Sequence, residues 1–543
     1  MRPLTSFWVM VLCFCSTAWP DEGHKHALTS EELGSVNFQT ACSNSVEAKF
    51  NRGVALLHSF QYEQARETFS EITKQDPQCA MAQWGVAMSY YHGLWDNGDA
   101  VAGKAAIEQA GGIAASNPKT TAREKAYIDA LAEIYSDDGK DKAAQGKAFE
   151  QKMEALHAAY PADSEAAIFH ALALDITAPK TDKTFANQHK CGEILEPIFK
   201  KYPHHPGVAH YIIHCYDNPV LAERGLGAAR MYASIAPASA HANHMPSHLF
   251  TRVGLWDDSI NSNIKSAVLA TKAEATSKNG EARDQRIHAM DYLEYAYLQS
   301  GRLKQAKQVV DEMSALPPLE GITLTGTYGL AAVPARYAIE TRNWEVASAL
   351  KVREDAVPWA QAITWAAIGV GSARSGKFDR ATEAERVLSS LRETTTKQNN
   401  TYWANQVEVQ RREVAAWIAA KSGKNTDAIK GMREAAELEE SMDKHAVTPG
   451  AITPAREMLA ELLLAEHPAE ALSEFEAVLK IAPRRFNALY GAATAAEAAG
   501  NAAAANQYFR KLTECAVGDE RPELVMARKK IGVMAQKETA SRP

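Results

Sequence analysis

The apolar positions of the chain recur at intervals of three and four residues, which predicts amphipathic helices along most of its length. No alternating run of apolar and polar residues is long enough to predict a strand. The 34 residues 46–79 form one unit with two small residues, one aromatic residue and one proline at set positions: Gly53, Ala65, Phe69 and Pro77. The same spacing returns near the far end: Ala471, Phe475 and Pro483. The pattern therefore predicts an all-α protein built from repeated helix pairs.

A repeat of this length with these residue types resembles the tetratricopeptide repeat (TPR), in which two antiparallel helices form one unit. Pro203 and Pro237 keep the same spacing in the middle of the chain. One helix pair cannot bury its apolar stripe alone, so neighbouring pairs stack into a continuous core. The resemblance implies an all-α, TPR-like α-solenoid of stacked antiparallel helix pairs, whose concave groove binds a protein or peptide partner.

The first 18 residues have the pattern of a secretory signal peptide. Arg2 precedes an apolar run over 7–15, and 16–18 read Ser-Thr-Ala, a small-x-small sequence suited to cleavage after Ala18. We therefore expect an exported protein, periplasmic or secreted. No later stretch reaches 18 consecutive apolar residues, so no membrane span is expected in the mature chain.

Beyond this leader (1–18), the pattern predicts an N-terminal extension over 19–45, an N-terminal TPR solenoid with a histidine-rich concave face over 46–300, and a C-terminal TPR solenoid over 301–537. Four segments carry a closer resemblance: LLHSFQYEQA (56–65), GVAMSYYHGLW (85–95), HYIIHCYDNP (210–219) and HMPSHLFTRVGLWDDSI (244–260). They are similar to a group of exported bacterial TPR proteins. That resemblance implies the architecture and the compartment, and it implies no activity.

Charge and motifs exclude several classes of function. The chain has 59 lysines and arginines against 66 aspartates and glutamates, a formal charge of -7 and a pI near 6.2. This is the wrong sign for a protein that neutralises phosphates, so no nucleic-acid partner is expected. The sequence has no Walker loop, no dinucleotide fingerprint and no CxxCH, so neither a nucleotide nor a covalent haem is expected.

An odd number of cysteines remains after the leader: Cys42, Cys79, Cys191, Cys215 and Cys515. Cys42 lies just before the first repeat unit and Cys79 is the last residue of that unit, so antiparallel helices would place both at one end of the pair. We predict a Cys42–Cys79 disulfide, as suits an oxidising compartment. The alternative is two small apolar side chains in the core.

Histidines are concentrated in one stretch, where eight of the 17 lie within 60 residues. His210 and His214 are spaced i,i+4, as are His244 and His248, and the two pairs are 34 residues apart. Each pair therefore shares one face of its helix, at the same place in consecutive units. Pro246 predicts a kink or a helix start inside the second pair.

In TPR proteins, fixed positions of the first helix of each unit line the concave groove. The repeat phase assigns such positions to seven residues of this chain: His210, His214, His241, His244, His248, His288 and Asp291. The resemblance thus implies one wall that carries all seven side chains. A second tier of candidates consists of His58 and His92, which are again 34 residues apart, and Asp217.

Several imidazoles with a carboxylate are a typical ligand set for a transition metal, here zinc, copper or iron. Asp217 or Asp291 would be a ligand, or would accept the second N–H of a ligating imidazole. The sequence leaves three functions open: a binding scaffold with a metal site in its groove, a metal-dependent enzyme (hydrolytic or oxidative) that uses the same cluster, and a structural scaffold whose histidines hydrogen-bond one another.

A further interpretation is a groove without metal that binds an anionic ligand through charge-assisted hydrogen bonds. Its donors would be Arg252, Arg283 and Arg286.

Overall fold

The computed structural model describes residues 30–94, 98–137, 139, 141–275, 277, 280–316 and 323–540. These residues form helices and connecting turns and contain no strand, which confirms the predicted all-α class. The predicted signal peptide and the first part of the N-terminal extension lie outside the described residues. None of the helices within them is long and apolar enough to cross a membrane.

The helices before the histidine-rich stretch are α1 (Ser30–Leu33), α2 (Glu47–His58), α3 (Tyr62–Gln75), α4 (Ala80–Met88), α5 (Ala100–Ser116), α6 (Ala122–Ala132), α7 (Lys142–Ala159), α8 (Ser164–Ile176) and α9 (Ala186–Lys201). The histidine-rich stretch contains α10 (Pro206–Cys215), α11 (Leu226–Ile235), α12 (Ala240–His244), α13 (Pro246–Val253), α14 (Trp256–Glu274) and α15 (Glu281–Gln299). The second half contains α16 (Leu303–Ser314), α17 (Leu324–Glu340), α18 (Trp344–Ser348), α19 (Pro358–Arg374), α20 (Phe378–Lys397), α21 (Thr401–Lys421), α22 (Asn425–Glu440), α23 (Ala455–Leu463), α24 (Pro468–Ile481), α25 (Phe486–Ala498), α26 (Ala502–Cys515) and α27 (Pro522–Ala540). Short 3-10 helices cover Asn44–Val46, Glu133–Tyr135 and Ala222–Gly225.

Consecutive helices pack as pairs, and alternate helices such as α15 with α17 and α19 with α21 stack these pairs into a solenoid. The first pair shows why the repeat needs a small residue. A Cβ atom added at Gly53 of α2 would lie 2.7 Å from the ring of Phe69 of α3. The two helices approach this closely only because glycine has no side chain.

Pro246 divides the helix that carries three of the candidate ligands. α12 ends at His244 and α13 begins at Pro246, which has no N–H to continue the hydrogen bonding of α12. α13 then ends at Gly254, whose φ of 72° lies in the left-handed region that glycine tolerates. His244 and His248 therefore project from two short helices that meet at a joint.

Two disulfides fasten the first half of the chain. Cys42 is bonded to Cys79, the predicted pair, at the end of the first helix pair. A second bond, which the sequence did not predict, joins Cys191 of α9 to Cys215 of α10. Cys515 is the free cysteine of the described residues and is half-buried. The second disulfide anchors the helix that carries His210 and His214.

The second half of the chain folds back onto the first. Trp256 Nε1 donates to the carbonyl of Arg484 at 3.2 Å, and Gln299 Oε1 accepts from the backbone N–H of Phe486 at 2.9 Å. The predicted boundary at 300/301 falls at the turn between α15 and α16, and both helices contribute to one apolar core cluster.

The cover segment, residues 441–454 between α22 and α23, is not helical and crosses the histidine-bearing helices. The backbone N–H of Asp443 donates to the carbonyl of Lys180 at 2.7 Å. The hydroxyl of Tyr292 on α15 donates to the carbonyl of Thr448 at 2.8 Å. A segment of the second half thus lies over the part of the first half in which the histidines meet.

Candidate metal centre

Six of the predicted histidines converge on one buried group, the six-histidine cluster. Its members are His210 and His214 of α10, His241 and His244 of α12, His248 of α13 and His288 of α15. The exposed fraction of each lies between 0% and 6%. The i,i+4 spacing on α10 and the joint between α12 and α13 direct these imidazoles toward one another.

The cluster divides into two triads, and within each the candidate ligand nitrogens lie within 4.8 Å of one another. The first triad is His210, His214 and His241. His210 Nδ1 donates to the carbonyl of His58 at 2.6 Å, so its Nε2 carries the lone pair. That Nε2 lies 3.0 Å from Nε2 of His241. A proton on His241 Nε2 makes this contact an ordinary hydrogen bond, so this pair alone does not require an ion.

The second triad is His244, His248 and His288. His244 Nδ1 lies 2.7 Å from Oδ1 of Asn263, whose amide is oriented because its Nδ2 donates to the carbonyl of Ser259 at 2.8 Å. His248 Nδ1 lies 2.9 Å from Oδ2 of Asp217. Both partners of these Nδ1 atoms are acceptors, so each Nδ1 carries a proton.

The lone pairs on the Nε2 atoms of His244 and His248 therefore face each other. Nε2 of His244 lies 3.0 Å from Nε2 of His248, and in the neutral rings neither nitrogen has a proton to donate. Two acceptors at this distance require a proton or a cation between them.

The third member of the second triad is also unsatisfied. His288 is 4% exposed, and neither of its ring nitrogens has a hydrogen-bond partner among the described residues. Its ring centroid lies 4.2 Å from that of His244. Buried polar groups without a partner are rare, and each one calls for an explanation such as a ligand or an ion.

The protonation of the cluster is set by its burial. Burial lowers the pKa of all six imidazoles, which are His210, His214, His241, His244, His248 and His288. For several of them, the nearby histidines of the cluster lower the pKa further. At neutral pH the rings are therefore neutral, which is the form that binds a metal ion.

Asp217 is the carboxylate beside the cluster. Besides His248, it accepts from Arg252 Nε at 2.8 Å and from Lys444 Nζ at 2.7 Å. Burial raises its pKa, but Lys444, Arg252 and His248 outweigh this and hold the pKa of Asp217 well below its usual range. Burial also lowers the pKa of Lys444 to about 8. Asp217 thus accepts the outer N–H of His248, which is the contact that the second of its two predicted roles requires.

The two triads are neighbours. The ring centroids of His214 and His248 are 6.0 Å apart, and those of His241 and His244 are 6.2 Å apart. Tyr292 lies against the second triad, with its hydroxyl 3.2 Å from Nδ1 of His248.

The cluster is closed on most sides. The cover segment lies over it, and a cavity of about 70 Å³ approaches it, with walls that include His214, Asp217, Asp175 and Lys444. Burial raises the pKa of Asp175 to about 6. The cavity reaches the first triad, and the second triad does not line it.

The structure does not bring every predicted residue into the triads. Asp291 Oδ1 accepts from Nη1 of Arg336 at 2.7 Å and belongs to a separate buried ion network. His92 stacks on Tyr62, with ring centroids 4.0 Å apart.

The three arginines proposed for an anionic ligand are each paired with a carboxylate of the chain. Arg252 is bound to Asp217, and Arg283 and Arg286 lie 3.7 Å and 3.4 Å from Glu274.

His58 belongs to another buried group, the Glu165 group. Glu165 lies between two imidazoles, with Oε2 at 2.9 Å from His58 Nε2 and Oε1 at 2.8 Å from His205 Nε2. The hydroxyl of Tyr211 lies 3.0 Å from His58 Nδ1. Burial raises the pKa of Glu165, but the two histidines outweigh this and hold it well below its usual range.

Sequence reasoning missed three residues at the centre, namely Asn263, Tyr292 and Lys444. Asn263 is on the second helix of its unit, a position that the groove pattern does not include. Tyr292 directly follows the predicted Asp291, and the repeat phase alone does not single it out. Lys444 is 227 residues from Asp217, and no local signal connects the two.

Solved structures of low sequence identity are similar to this chain. The human IFIT1 dimer with PPP-AAAA is 11% identical, with 72% of each chain covered and a TM-score of 0.32. Yeast Tom70 is 13% identical, with 91% of this chain and 90% of that chain covered and a TM-score of 0.30. The P58(IPK) TPR domain is 14% identical, with 69% and 99% covered and a TM-score of 0.22. TM-scores this low carry no argument about function. No curated protein sequence matches the chain.

The family comparison gives a direct match. Residues 458–520 match the tetratricopeptide repeat family, over a segment that includes α24, α25 and α26. Helix pairs of the same kind continue along the other described residues. The chain therefore contains a tetratricopeptide repeat segment within an all-α, TPR-like solenoid.

Proposed function

We propose that this protein is an exported TPR scaffold that binds transition-metal ions in its six-histidine cluster, with zinc, copper and iron as the candidate metals. One observation carries the proposal. The Nε2 atoms of His244 and His248 face each other at 3.0 Å, while their Nδ1 atoms are both committed as donors to Asn263 and Asp217. A metal ion that accepts both lone pairs resolves this conflict.

The residues present fit such an ion. Each triad offers three imidazole nitrogens, and imidazole suits zinc, copper and iron. The outer nitrogens of His210, His244 and His248 already donate to oxygen atoms, which orients each ring with Nε2 inward. When bound, the ion would supply a Lewis acid or a redox centre within a TPR protein.

A purely structural cluster is the main competitor. Hydrogen bonds between imidazoles explain the contact of His210 with His241. They do not explain His288, which is buried with two unpartnered nitrogens. An unsatisfied buried group costs about 1–3 kcal/mol, so three imidazoles packed this way without an ion would destabilise the fold.

The TPR scaffold is a fold for protein interaction, as the family match supports. In our proposal the protein or peptide partner binds the groove outside the part that 441–454 covers, since the cluster itself is buried. The partner and the metal ion would then bind to different parts of the protein.

The metal proposal is tested by elemental analysis of the full mature chain, recovered without an affinity tag. We expect a stoichiometric transition metal in the wild type and its loss when His210, His214, His244 and His248 are all replaced by alanine. His170→Ala is the matched control, because His170 is equally buried and belongs to neither triad. Circular dichroism checks that each variant is folded.

If the fourfold variant does not fold, X-ray absorption of the loaded wild type replaces it and should show imidazole ligation. A folded wild type that takes up no metal after dialysis against zinc, copper and iron would contradict the proposal.

Export rests on separate observations. The leader pattern at 1–18 precedes a chain with two disulfides, and disulfides persist in oxidising compartments. We expect the mature protein to begin at Trp19 and to occur outside the cytoplasm. N-terminal sequencing after cell fractionation tests this, and an intact N-terminus in the cytoplasmic fraction would refute it.

A metal-dependent enzyme is the second candidate, because the cavity of about 70 Å³ leads from Asp175 and Lys444 to His214. This closed approach suits a small substrate at an open coordination position of the first triad. The test is azide, a small anion, added to the cobalt-substituted protein. A change in the visible spectrum supports an open position, and an unchanged spectrum at saturating azide argues against one.

A further inference from the structure

The number of donors and the local charge together indicate which ions the cluster takes. The six imidazoles form two groups of three, and inside each group the ligand nitrogens lie within 4.8 Å of one another, while rings of different groups have centroids 6.0 Å and 6.2 Å apart. An ion bound at about 2.0–2.1 Å from its nitrogens reaches one triad and not all six donors. The geometry therefore provides for two ions side by side.

All six donors are neutral, so the charge of the ions must be balanced by other groups. Among the described residues, Asp217 is the carboxylate that accepts from a member of the six-histidine cluster, and it is already paired with Lys444 and Arg252. Arg252 also lies 3.5 Å from Asp443. These four side chains sum to zero, because two carboxylates face two cations. The charged side chains around Asp217 therefore hold no surplus negative charge, and Asp175 on the cavity wall is offset by Lys180, which lines the same cavity.

Other nearby groups do not change this balance. Asp291 and Glu294 accept from Arg336 at 2.7 Å and 2.8 Å, and burial raises the pKa of Glu294 to about 8, so these three side chains sum to zero at neutral pH. The hydroxyl of Tyr292 donates to the carbonyl of Thr448 at 2.8 Å, so it keeps its proton and is neutral. Two divalent ions would bring four positive charges into this site, and buried charge without compensation is expensive.

Access limits what solvent can contribute. The cavity touches the cluster at His214, and none of His244, His248 and His288 lines it. A divalent ion in the second triad would therefore lack the water or hydroxide that completes its coordination and reduces its charge. A monovalent ion bound by three imidazoles needs neither.

We propose, building on the metal-binding function above, that the cluster is a copper site that holds two cuprous ions, one in each triad. Copper is the imidazole-binding metal among the three candidates that has a stable monovalent state. Two Cu(I) ions place half the charge of two divalent ions in the same neutral surroundings.

The test is competitive loading of the full mature chain, free of metal and under anaerobic conditions. Cu(I) is supplied as its bicinchoninate complex, together with an equal concentration of zinc sulfate. We expect two Cu(I) per chain and about tenfold less zinc after gel filtration. The X-ray absorption edge of the loaded protein should be cuprous.

Single substitutions separate the two triads. His288→Asn should leave one Cu(I), and His214→Asn should also leave one, while His170→Asn should retain two. Thermal unfolding confirms that each variant is folded. The X-ray absorption edge and the number of copper ions bound by the wild type test the proposal even if no variant folds.

The outcomes distinguish this inference from the proposed function. If the wild type binds zinc in equal or greater amount, or one copper ion only, the cuprous pair is wrong and the metal site stands. If neither metal binds the folded chain at any ratio, the cuprous pair is wrong, and the metal-binding proposal survives only if iron binds instead.

Discussion

Two buried groups of histidines lie close together in this protein and differ in one respect. In the Glu165 group, a carboxylate lies between the imidazoles of His58 and His205 and accepts from both. In the six-histidine cluster, the nearest carboxylate is Asp217, which accepts from the outer nitrogen of His248. The inner nitrogens of His244 and His248 consequently face only each other.

The comparison teaches that burial of a histidine does not by itself indicate a metal ligand. The decisive feature is whether the inward nitrogen has a protein partner. The Glu165 group also brings three possible ligand atoms together, but it satisfies its own hydrogen bonds apart from Nδ1 of His205 and does not need an ion to do so. At the centre of the six-histidine cluster, the Nε2 atoms of His244 and His248 are two acceptors without a donor between them, which is the position that the proposed cation would fill.

Removal of the metal should have the largest effect, and it should act on one group only. The loaded protein is stabilised by about 4 kcal/mol when free metal exceeds the dissociation constant by about 1,000-fold. Chelation should lower the unfolding temperature, and added metal should restore it. The measurement is differential scanning calorimetry. The fourfold alanine variant serves as the control, and an equal response from it would break the comparison.

Glu165→Ala should have the next largest effect. It should lower the free energy of unfolding by about 3 kcal/mol, because it leaves the buried imidazoles of His58 and His205 without their acceptor. The loss should be the same with and without metal, and metal stoichiometry should not change. Urea unfolding measures the first and elemental analysis the second. A variant that lost its metal while still folded would show that the two groups are coupled.

The pH dependence of the metal-free protein should separate the groups further. Burial holds the pKa of the clustered imidazoles below the ordinary 6.5, so the unfolded chain binds more protons once the pH falls below that value. Stability then falls by about 1.4 kcal/mol per pH unit for each imidazole that stays neutral.

Glu165 responds in a lower window. Its folded pKa is depressed, so its contribution is present above its ordinary 4.5 and is lost as the pH falls further. Urea midpoints at pH 7.5, 5.5 and 4.0 test both windows. In the fourfold variant, the urea midpoint should depend less on pH between 7.5 and 5.5, while its dependence below pH 5.5 should remain. A wild-type midpoint that stays constant between pH 7.5 and 5.5 would contradict this.

The smallest effect is expected for His288→Leu in the metal-free protein. The substitution removes two unpartnered nitrogens and keeps an apolar side chain, so the free energy of unfolding should change by less than about 1 kcal/mol. His58→Leu is the matched substitution in the other group and should cost about 2 kcal/mol, because Glu165 and Tyr211 lose a partner. A larger cost at His288 would mean that its imidazole is satisfied without metal.

Much of the site could be predicted from local periodicity. The i,i+4 spacing of His210 and His214 places them on one face of α10, whatever the rest of the chain does. Pro246 predicted the joint at which α12 gives way to α13, because a proline ends helical hydrogen bonding locally. His241 and His288 followed from the repeat phase.

Residues that depend on contacts across the solenoid could not be predicted in this way. Asp291 has the right phase for the histidine wall, yet its carboxylate binds Arg336 of α17. Whether the Asp291 carboxylate turns toward the histidines or toward Arg336 depends on the neighbouring unit, which carries Arg336. His92 shares the phase of His58, but its ring stacks on Tyr62 instead.

Local patterns in the sequence predict the helix pairs, their stacking and the faces on which the histidines lie, because each follows from short-range spacing and from apolar surface that one pair cannot bury. Contacts between distant units place Lys444 beside Asp217, lay 441–454 over the cluster, and leave the inner nitrogens of His244 and His248 without a donor between them. These contacts depend on small rotations that accumulate from repeat to repeat until distant units meet, and no local pattern in the chain encodes their sum.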